Sequence, residues 1–207
     1  MKNKFISAEE AASMVKDGMT VMIGGFMAVG SPHSIIAKMV EKGVKDLTII
    51  CNDTAFPDKG IGLLIANKQV KRVITSHIGT NPCTIEQFNN KEISIEFNPQ
   101  GTLAERVRCA GAGLGGFLTP TGIGTIVEEG KQKINIDGRD YLLEKPLRAD
   151  IALLGASISD NIGNLVYKGS SQNFNPVMAT AADIVIAEAE EVVEVGQINP
   201  ENVKTQS

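Results

Sequence analysis

Apolar positions along this chain fall into short runs separated by segments of helical spacing. Ser7 followed by Glu10 three residues later is a capping-box signature, which predicts a helix over residues 8–16 closed by Asp17-Gly18. Residues 20–23 form a short apolar run that predicts a buried strand. It enters a loop, Gly24-Gly25-Phe26-Met27-Ala28-Val29-Gly30. Ser31 then reads as an N-cap and Pro32 as a first helical residue, with Ile35, Ile36, Met39 and Val40 on one apolar face and Gly43 as the stop.

The alternation continues. Strands are predicted over residues 47–51, 72–76 and 93–97, and helices over 61–67 and 85–90. Asn52-Asp53-Thr54 and Asn98-Pro99-Gln100-Gly101 read as polar turns, and Thr102 with Glu105 as a second capping box opening a helix through about Cys109. Residues 111–125 are too glycine-rich and irregular for a helix or strand and read as an ordered loop. Residues 133–136 and 139–143 flank Asp137-Gly138, a hairpin signal of the type I′ kind. Two more buried strands are predicted over residues 151–154 and 183–187, with a turn at Asp160-Asn161-Ile162-Gly163-Asn164 between them.

This order predicts an α/β fold: a mostly parallel sheet with helices on both faces, followed by a smaller second half that contains a β-hairpin. No boundary, repeat or low-complexity segment divides the chain, so residues 1–207 are expected to form a single domain. Apolar residues make up 43% and aromatics only 4%, so the core must be built from Ile, Val, Leu, Ala and Met, which suit strands buried on both faces. The net charge of −4 and the lack of a Lys/Arg cluster argue against nucleic acid as a partner. The apolar run at the start, Met1 to Ile6, is too short for a signal peptide, and residues 21–28 are too short and glycine-broken for a membrane span. Cys51, Cys83 and Cys109 are odd in number and widely spaced, and only His33 and His77 could join them. Neither a disulfide framework nor a metal site is expected, and the reading is of a reduced, cytoplasmic protein with small buried cysteines.

Several features could carry chemistry. The loop of residues 24–30 lies between a strand and a helix, where glycines let backbone approach a ligand and a helix N-terminus attracts anions. A tight strand-to-helix turn without a ligand explains it equally well at this point. Gly111-Ala112-Gly113-Leu114-Gly115-Gly116 matches a dinucleotide fingerprint literally but follows a helix instead of a strand, so that reading is rejected. Gln100 is either a solvated turn residue or an amide donor for an oxyanion near strand ends. Glu105 is read as a cap, and His33 and His77, lacking any partner motif, as structural.

The stretch from Asp17-Gly18 through Ile23-Gly24-Gly25-Phe26 to Gly30-Ser31-Pro32 resembles the signature of the family I CoA-transferase α subunit at every fixed position. Residues 98–106 with Ala110-Gly111-Ala112-Gly113 and Thr119-Pro120-Thr121-Gly122 also resemble this family. So do Asn52-Asp53, Tyr167-Lys168-Gly169 and Asn173-Phe174-Asn175-Pro176. Within the family, the likeness is to α subunits of acetate/butyrate–acetoacetate CoA-transferases.

The resemblance implies covalent catalysis by a glutamate carboxylate that attacks an acyl-CoA thioester. An acyl-glutamyl anhydride forms, and the released CoA thiolate converts it to a glutamyl-CoA thioester. The acceptor carboxylate then takes the CoA in the mirrored sequence, and water must be excluded throughout. The family's glutamate belongs to a β subunit, in a Ser-Glu-Asn-Gly stretch. No such stretch occurs here, and Pro200-Glu201-Asn202-Val203 lacks the glycine.

The resemblance thus implies a β-subunit partner in an α2β2-type complex. Coenzyme A is a substrate, with no tightly bound cofactor and no metal. Gln100 is implied as an oxyanion-stabilising amide, and Gly24, Gly25, Phe26, Met27, Ala28, Val29 and Gly30 as the CoA-associated loop. Family members usually continue into Thr-Pro-Gly and an apolar tail where this chain stops at Lys204-Thr205-Gln206-Ser207, so part of a docking strand is expected to be missing. The alternative reading is a non-catalytic α/β ligand-binding or scaffolding module of similar fold.

Overall fold

A computed structural model describes residues 4–206. Met1 to Asn3, the start of the segment read against a signal peptide, and Ser207, the end of the tail, lie outside the described residues.

In chain order the elements are α1 (Ala8–Met14), β1 (Thr20–Ile23), α2 (His33–Lys42), β2 (Leu47–Ile50), α3 (Ile61–Ala66), β3 (Val70–Thr75), α4 (Pro82–Asn89), β4 (Ser94–Phe97) and α5 (Gln100–Gly111). There follow β5 (Phe117–Thr119), β6 (Lys133–Ile136), β7 (Arg139–Glu144), β8 (Ala149–Asp160), β9 (Leu165–Val166), α6 (Asn175–Met178) and β10 (Ala182–Val193). The main sheet runs β10-β8-β1-β2-β3-β4 with every pairing parallel, and β9 pairs antiparallel with β8. A second, antiparallel sheet has the order β5-β7-β6.

The strands read as unbroken apolar runs because both faces are covered. Successive side chains point to opposite faces. Val21 and Ile23 accordingly join Leu47, Ile49, Val73, Ile151 and Leu153 in one core, against Ala11 of α1, Ile36 and Met39 of α2, and Leu64 of α3. Met22 joins Ile50, Ile74, Ala152 and Leu154 in the other, against Leu103 and Val107 of α5 and Met178 of α6. Met22, Ile23 and Ile49 are fully inaccessible, and burying each such side chain contributes about 1.5–3 kcal/mol.

The capping box at α1 is present in full: Ser7 Oγ accepts from Glu10 N at 3.1 Å and Ser7 N donates to Glu10 Oε2 at 2.7 Å. Gly43 ends α2 in the left-handed conformation at φ 68°. The β6–β7 hairpin turns at Asp137 and Gly138, both at positive φ, as the Asp-Gly pair predicts.

Other boundaries differ from the sequence reading. Ser31 and Pro32 do not start α2 as predicted: Pro32 is the flanking residue, no side chain of its own segment caps the helix, and Ser31 Oγ donates back to Gly24 O at 3.0 Å. α4 begins at Pro82 because the Asn81 side chain accepts from Thr84 N at 3.2 Å, so the helix opens three residues before position 85. The second capping box is absent. α5 starts at Gln100, within the predicted turn, with Thr102 buried in its first turn and Glu105 paired with Arg108 at 2.6 Å. Pro99 explains the shift, since its fixed φ of −53° is already that of a helix start.

The glycine-rich stretch is not all loop, because β5 pairs with the open edge of β7 from Phe117↔Glu144 to Thr119↔Leu142. β8 and β10 run 12 residues each, well beyond the predicted runs. Their second halves pair with each other out to Val193↔Asp160, and the polar residues there hide the strand pattern.

Candidate functional site

The carboxyl ends of β1, β2, β3 and β4 open at one end of the main sheet, the position where open α/β sheets bind ligands. Four segments meet there: the glycine loop after β1, Asn52 to Ala55 after β2, Ser76 and His77 after β3, and Asn98 to Gln100 after β4.

The glycine loop contains a two-residue hairpin. Phe26 N donates to Val29 O at 3.0 Å and Val29 N to Phe26 O at 2.9 Å. Met27 and Ala28 between them sit at φ 48° and 69°, a left-handed conformation that costs a residue with a Cβ roughly 1–2 kcal/mol. Asp53 holds this turn from β2, its Oδ2 accepting from Met27 N at 2.9 Å. At the tip the apolar side chains of Phe26, Met27 and Val29 are 41%, 39% and 48% exposed, so the loop offers an apolar surface. A cleft of about 430 Å³ opens beside the tip, lined by Val29, His33, Lys59, Ser171 and Glu190 among others.

The glycines answer to this chain's own asparagines. A Cβ on Gly24 would lie 1.8 Å from Asn175 Oδ1, and one on Gly30 would lie 3.0 Å from Asn175 Nδ2. Asn175 is fully buried. It accepts from Gly155 N at 3.1 Å and donates to Gly30 O at 2.9 Å and Ser171 O at 2.8 Å. Asn173 reinforces it, accepting from Gly25 N at 3.2 Å and donating to Val29 O at 3.0 Å.

Close approach of backbone is therefore real, but much of it is to an internal side chain. The anion-attracting reading of the same loop is corrected in one respect. The amides of Gly25, Phe26, Met27 and Val29 all have protein acceptors, and the N-terminus of α2 is filled by the Glu188 carboxylate.

Gln100 lies in the first turn of α5 and is exposed at this end of the sheet. Its Nε2 donates to Asn52 Oδ1 at 2.8 Å, Asn52 Nδ2 donates to Asp53 Oδ2 at 2.8 Å, and Asp53 holds Met27 N. A continuous hydrogen-bonded path thus joins Gln100 to the glycine loop. Asn52 is fixed further by Ser76 Oγ, which donates to its backbone oxygen at 2.7 Å, and by Thr75 Oγ1 at 2.9 Å. An amide nitrogen carries two hydrogens, so Gln100 keeps one N–H to offer a developing negative oxygen.

The remaining candidates fall outside this path. His33 Nε2 lies 3.1 Å from Ala28 O, and His77 forms a lone parallel bridge with Asp53 through the backbone. The three cysteines are free; Cys51 and Cys109 are buried and Cys83 is half-buried. Burial pushes the Cys51 thiol far up, and its S–H points to Thr75 Oγ1 at 3.8 Å, so it is no nucleophile at neutral pH. Among the described residues no three His, Cys, Asp or Glu side chains group as a metal site, and no helix is long and apolar enough to cross a membrane.

Sequence reasoning missed Glu188, and it gave Asn52, Asp53, Asn173 and Asn175 no role in the site: the first two read as a turn, and both pairs only as stretches that resemble the family. Asn52 and Asp53 carried a signal: a polar pair directly after a buried strand, in line with the loop after β1.

A match to the Coenzyme A transferase family spans residues 5–207. The chain is 53% identical over 205 residues to the acetate CoA-transferase subunit alpha of Escherichia coli K12, covering 99% of this chain and 93% of that one. It is 52% identical over 205 residues to the acetoacetyl-CoA:acetate/butyrate CoA transferase alpha subunit of Clostridium acetobutylicum, covering 99% and 94%. Among solved structures, an acyl-CoA transferase from Escherichia coli O157:H7, in a thioester complex with CoA, superposes with a TM-score of 0.85 over 97% of this chain. That likeness, at 23% identity, is one of fold, and this chain spans 44% of that longer one.

Proposed function

We propose, since the chain belongs to the Coenzyme A transferase family, that it is the α subunit of an enzyme moving CoA between a short-chain acyl-CoA and a carboxylate acceptor. Acetyl-CoA, acetoacetyl-CoA and butyryl-CoA are the acyl donors, in keeping with the substrates in its relatives' names. The nucleophilic glutamate comes from a β subunit in an α2β2 complex that works in the cytoplasm, where the three free cysteines stay reduced.

The observation that carries this reading is the path Gln100–Asn52–Asp53–Met27, which ties an amide donor and the glycine loop to one end of the sheet. When the partner's glutamate attacks the thioester, negative charge gathers on the carbonyl oxygen. The free N–H of Gln100, held by Asn52, is aimed to stabilise it without reorganising. The apolar tip of Phe26, Met27 and Val29 covers the acyl-CoA and keeps water from the anhydride and the glutamyl thioester.

The test is CoA transfer from acetoacetyl-CoA to acetate or butyrate, followed by loss of thioester-enolate absorbance, with this chain alone and co-expressed with a β subunit. Activity only in the complex, with kcat lowered on the order of 100-fold by Gln100→Ala, supports the reading. Activity of the lone chain would overturn the split site, and an unchanged Gln100→Ala complex would remove Gln100 from it.

A further inference from the structure

Arg106 lies further along α5 than Gln100, and its guanidinium is buried beneath the turn that leads into the helix. Its Nη1 donates to Asn98 Oδ1 at 2.6 Å and to Glu96 Oε1 at 2.5 Å, and its Nε donates to Lys145 O at 2.8 Å. Glu96 is held from the other side by Arg72 at 2.5 Å. The Glu144 carboxylate, 3.9 Å from Arg106 Nε, is paired with Lys131 at 2.5 Å. The fork therefore fastens three things at once: the carboxyl end of β4, the backbone just beyond β7, and the Asn98 side chain two residues before Gln100.

We infer that Arg106 is a positioning residue for Gln100, fixing the Asn98-Pro99-Gln100 turn through Asn98 so that the amide stays in its hydrogen bond to Asn52. The inference rests on the role proposed above for Gln100 and adds the residue that places it. Gln100 is exposed, and its side chain is tied by Nε2 to Asn52. Asn98 is buried, and Arg106 fixes its side-chain oxygen. Arg106 itself is only 9% exposed and points into the protein, so it touches no substrate. A buried guanidinium is costly unless its fork is satisfied, and here Nη1 meets Glu96 and Asn98 at the base of the turn while Nε anchors the group to Lys145 O beyond β7.

A double-mutant cycle in the assembled complex with the β subunit tests this. Arg106→Lys keeps the charge but loses the fork. We expect it to lower kcat about tenfold through a sub-ångström shift of Gln100, with KM for acetoacetyl-CoA within about twofold. In a Gln100→Ala background the same change should alter kcat by less than about twofold, because the group it positions is gone. Equal losses in both backgrounds would overturn the inference while leaving the role of Gln100 standing. If Gln100→Ala alone has no effect, the reading of Gln100 fails and the inference falls with it. Should Arg106→Lys not assemble, Asn98→Ala, which leaves Arg106 paired with Glu96, takes its place in the cycle with the same two outcomes.

Discussion

Glu188, on the last strand of the sheet, caps the helix that begins at His33. Its carboxylate accepts from Ser34 N at 2.8 Å, from Ile35 N at 3.0 Å and from Ser34 Oγ at 2.9 Å. Ser31, the local candidate for that role, donates instead to Gly24 O at 3.0 Å. The carboxylate does the work of a cap and also meets the positive end of the helix dipole.

Replacing Glu188 with Ala should cost about 1–2 kcal/mol in urea unfolding, because both contributions are lost. Glu188→Gln, which keeps an acceptor and loses the charge, should cost roughly half as much. Equal stability of both variants and the parent would mean that solvent satisfies the helix end.

Asn175 and Gly24 form the second pairing on which the loop depends. Asn175→Ala leaves the Gly155 amide and the carbonyls of Gly30 and Ser171 without their partner in a buried place, a loss of about 3 kcal/mol. Gly24→Ala alone should be at least as damaging, since its Cβ would lie 1.8 Å from Asn175 Oδ1. Combining them frees the space. The double variant should therefore unfold at a higher denaturant concentration than the sum of the two losses predicts, by about 1 kcal/mol or more. Strict additivity would show that the close approach is relieved by backbone movement.

These two pairings also show what the sequence could and could not disclose. β1 was legible to the residue because Val21, Met22 and Ile23 alternate between two cores as an unbroken apolar run, with Thr20 at its start the one polar position. The glycine loop and Gln100 were legible because motif and strand end coincide. The partners were not: Gly25 and Asn173 are 148 positions apart, and Ser34 and Glu188 are 154 apart. Glu188 sits in a strand whose far half reads as polar, and its carboxylate looks like a solvated charge. Thr102 and Glu105 misled for the opposite reason, since a capping-box spacing recurred from the first turn of a helix that Pro99 had already started.

Acid stability follows from two buried or half-buried carboxylates. Burial pushes the Asp160 carboxyl up, but hydrogen bonds from the Asn164 side chain and from the amides of Asn164, Ile162 and Gly163 outweigh it and hold it below its ordinary value. Burial likewise raises Glu96, and the Arg106 guanidinium, with Asn98 and Arg72, brings it below the usual carboxylate range. A group with a depressed folded pKa contributes stability above its unfolded value, near pH 4, and loses it as pH falls through the folded value. Unfolding free energy should therefore hold between about pH 7 and 5 and drop below about pH 4. Asp160→Asn should make that acid limb shallower while lowering stability at neutral pH. An acid limb of unchanged slope would assign the loss to other carboxylates.

Asp53 is where the two halves of the candidate site meet. Its carboxylate accepts from Met27 N at 2.9 Å, from Asn52 Nδ2 at 2.8 Å and from Ala55 N at 2.8 Å. The first bond restrains a turn whose two central residues lie at positive φ, and the second orients the amide that holds Gln100. Asp53→Asn converts one of the two oxygens into a donor: at Oδ2, which the Met27 amide and the Asn52 side chain share, both lose their acceptor together, and at Oδ1 the Ala55 amide loses its own, at a cost of about 1–3 kcal/mol. Because the turn is already strained, it is the part expected to yield. Hydrogen exchange of the Met27 amide should accelerate at least tenfold, by the 1.4 kcal/mol that a factor of ten represents. Turnover in the complex should fall as well, since Asn52 loses its fixed orientation. Unchanged exchange at Met27 with reduced turnover would place the effect of Asp53 on the Asn52–Gln100 arm alone. Faster exchange with full turnover would show that the loop can loosen without disturbing the amide.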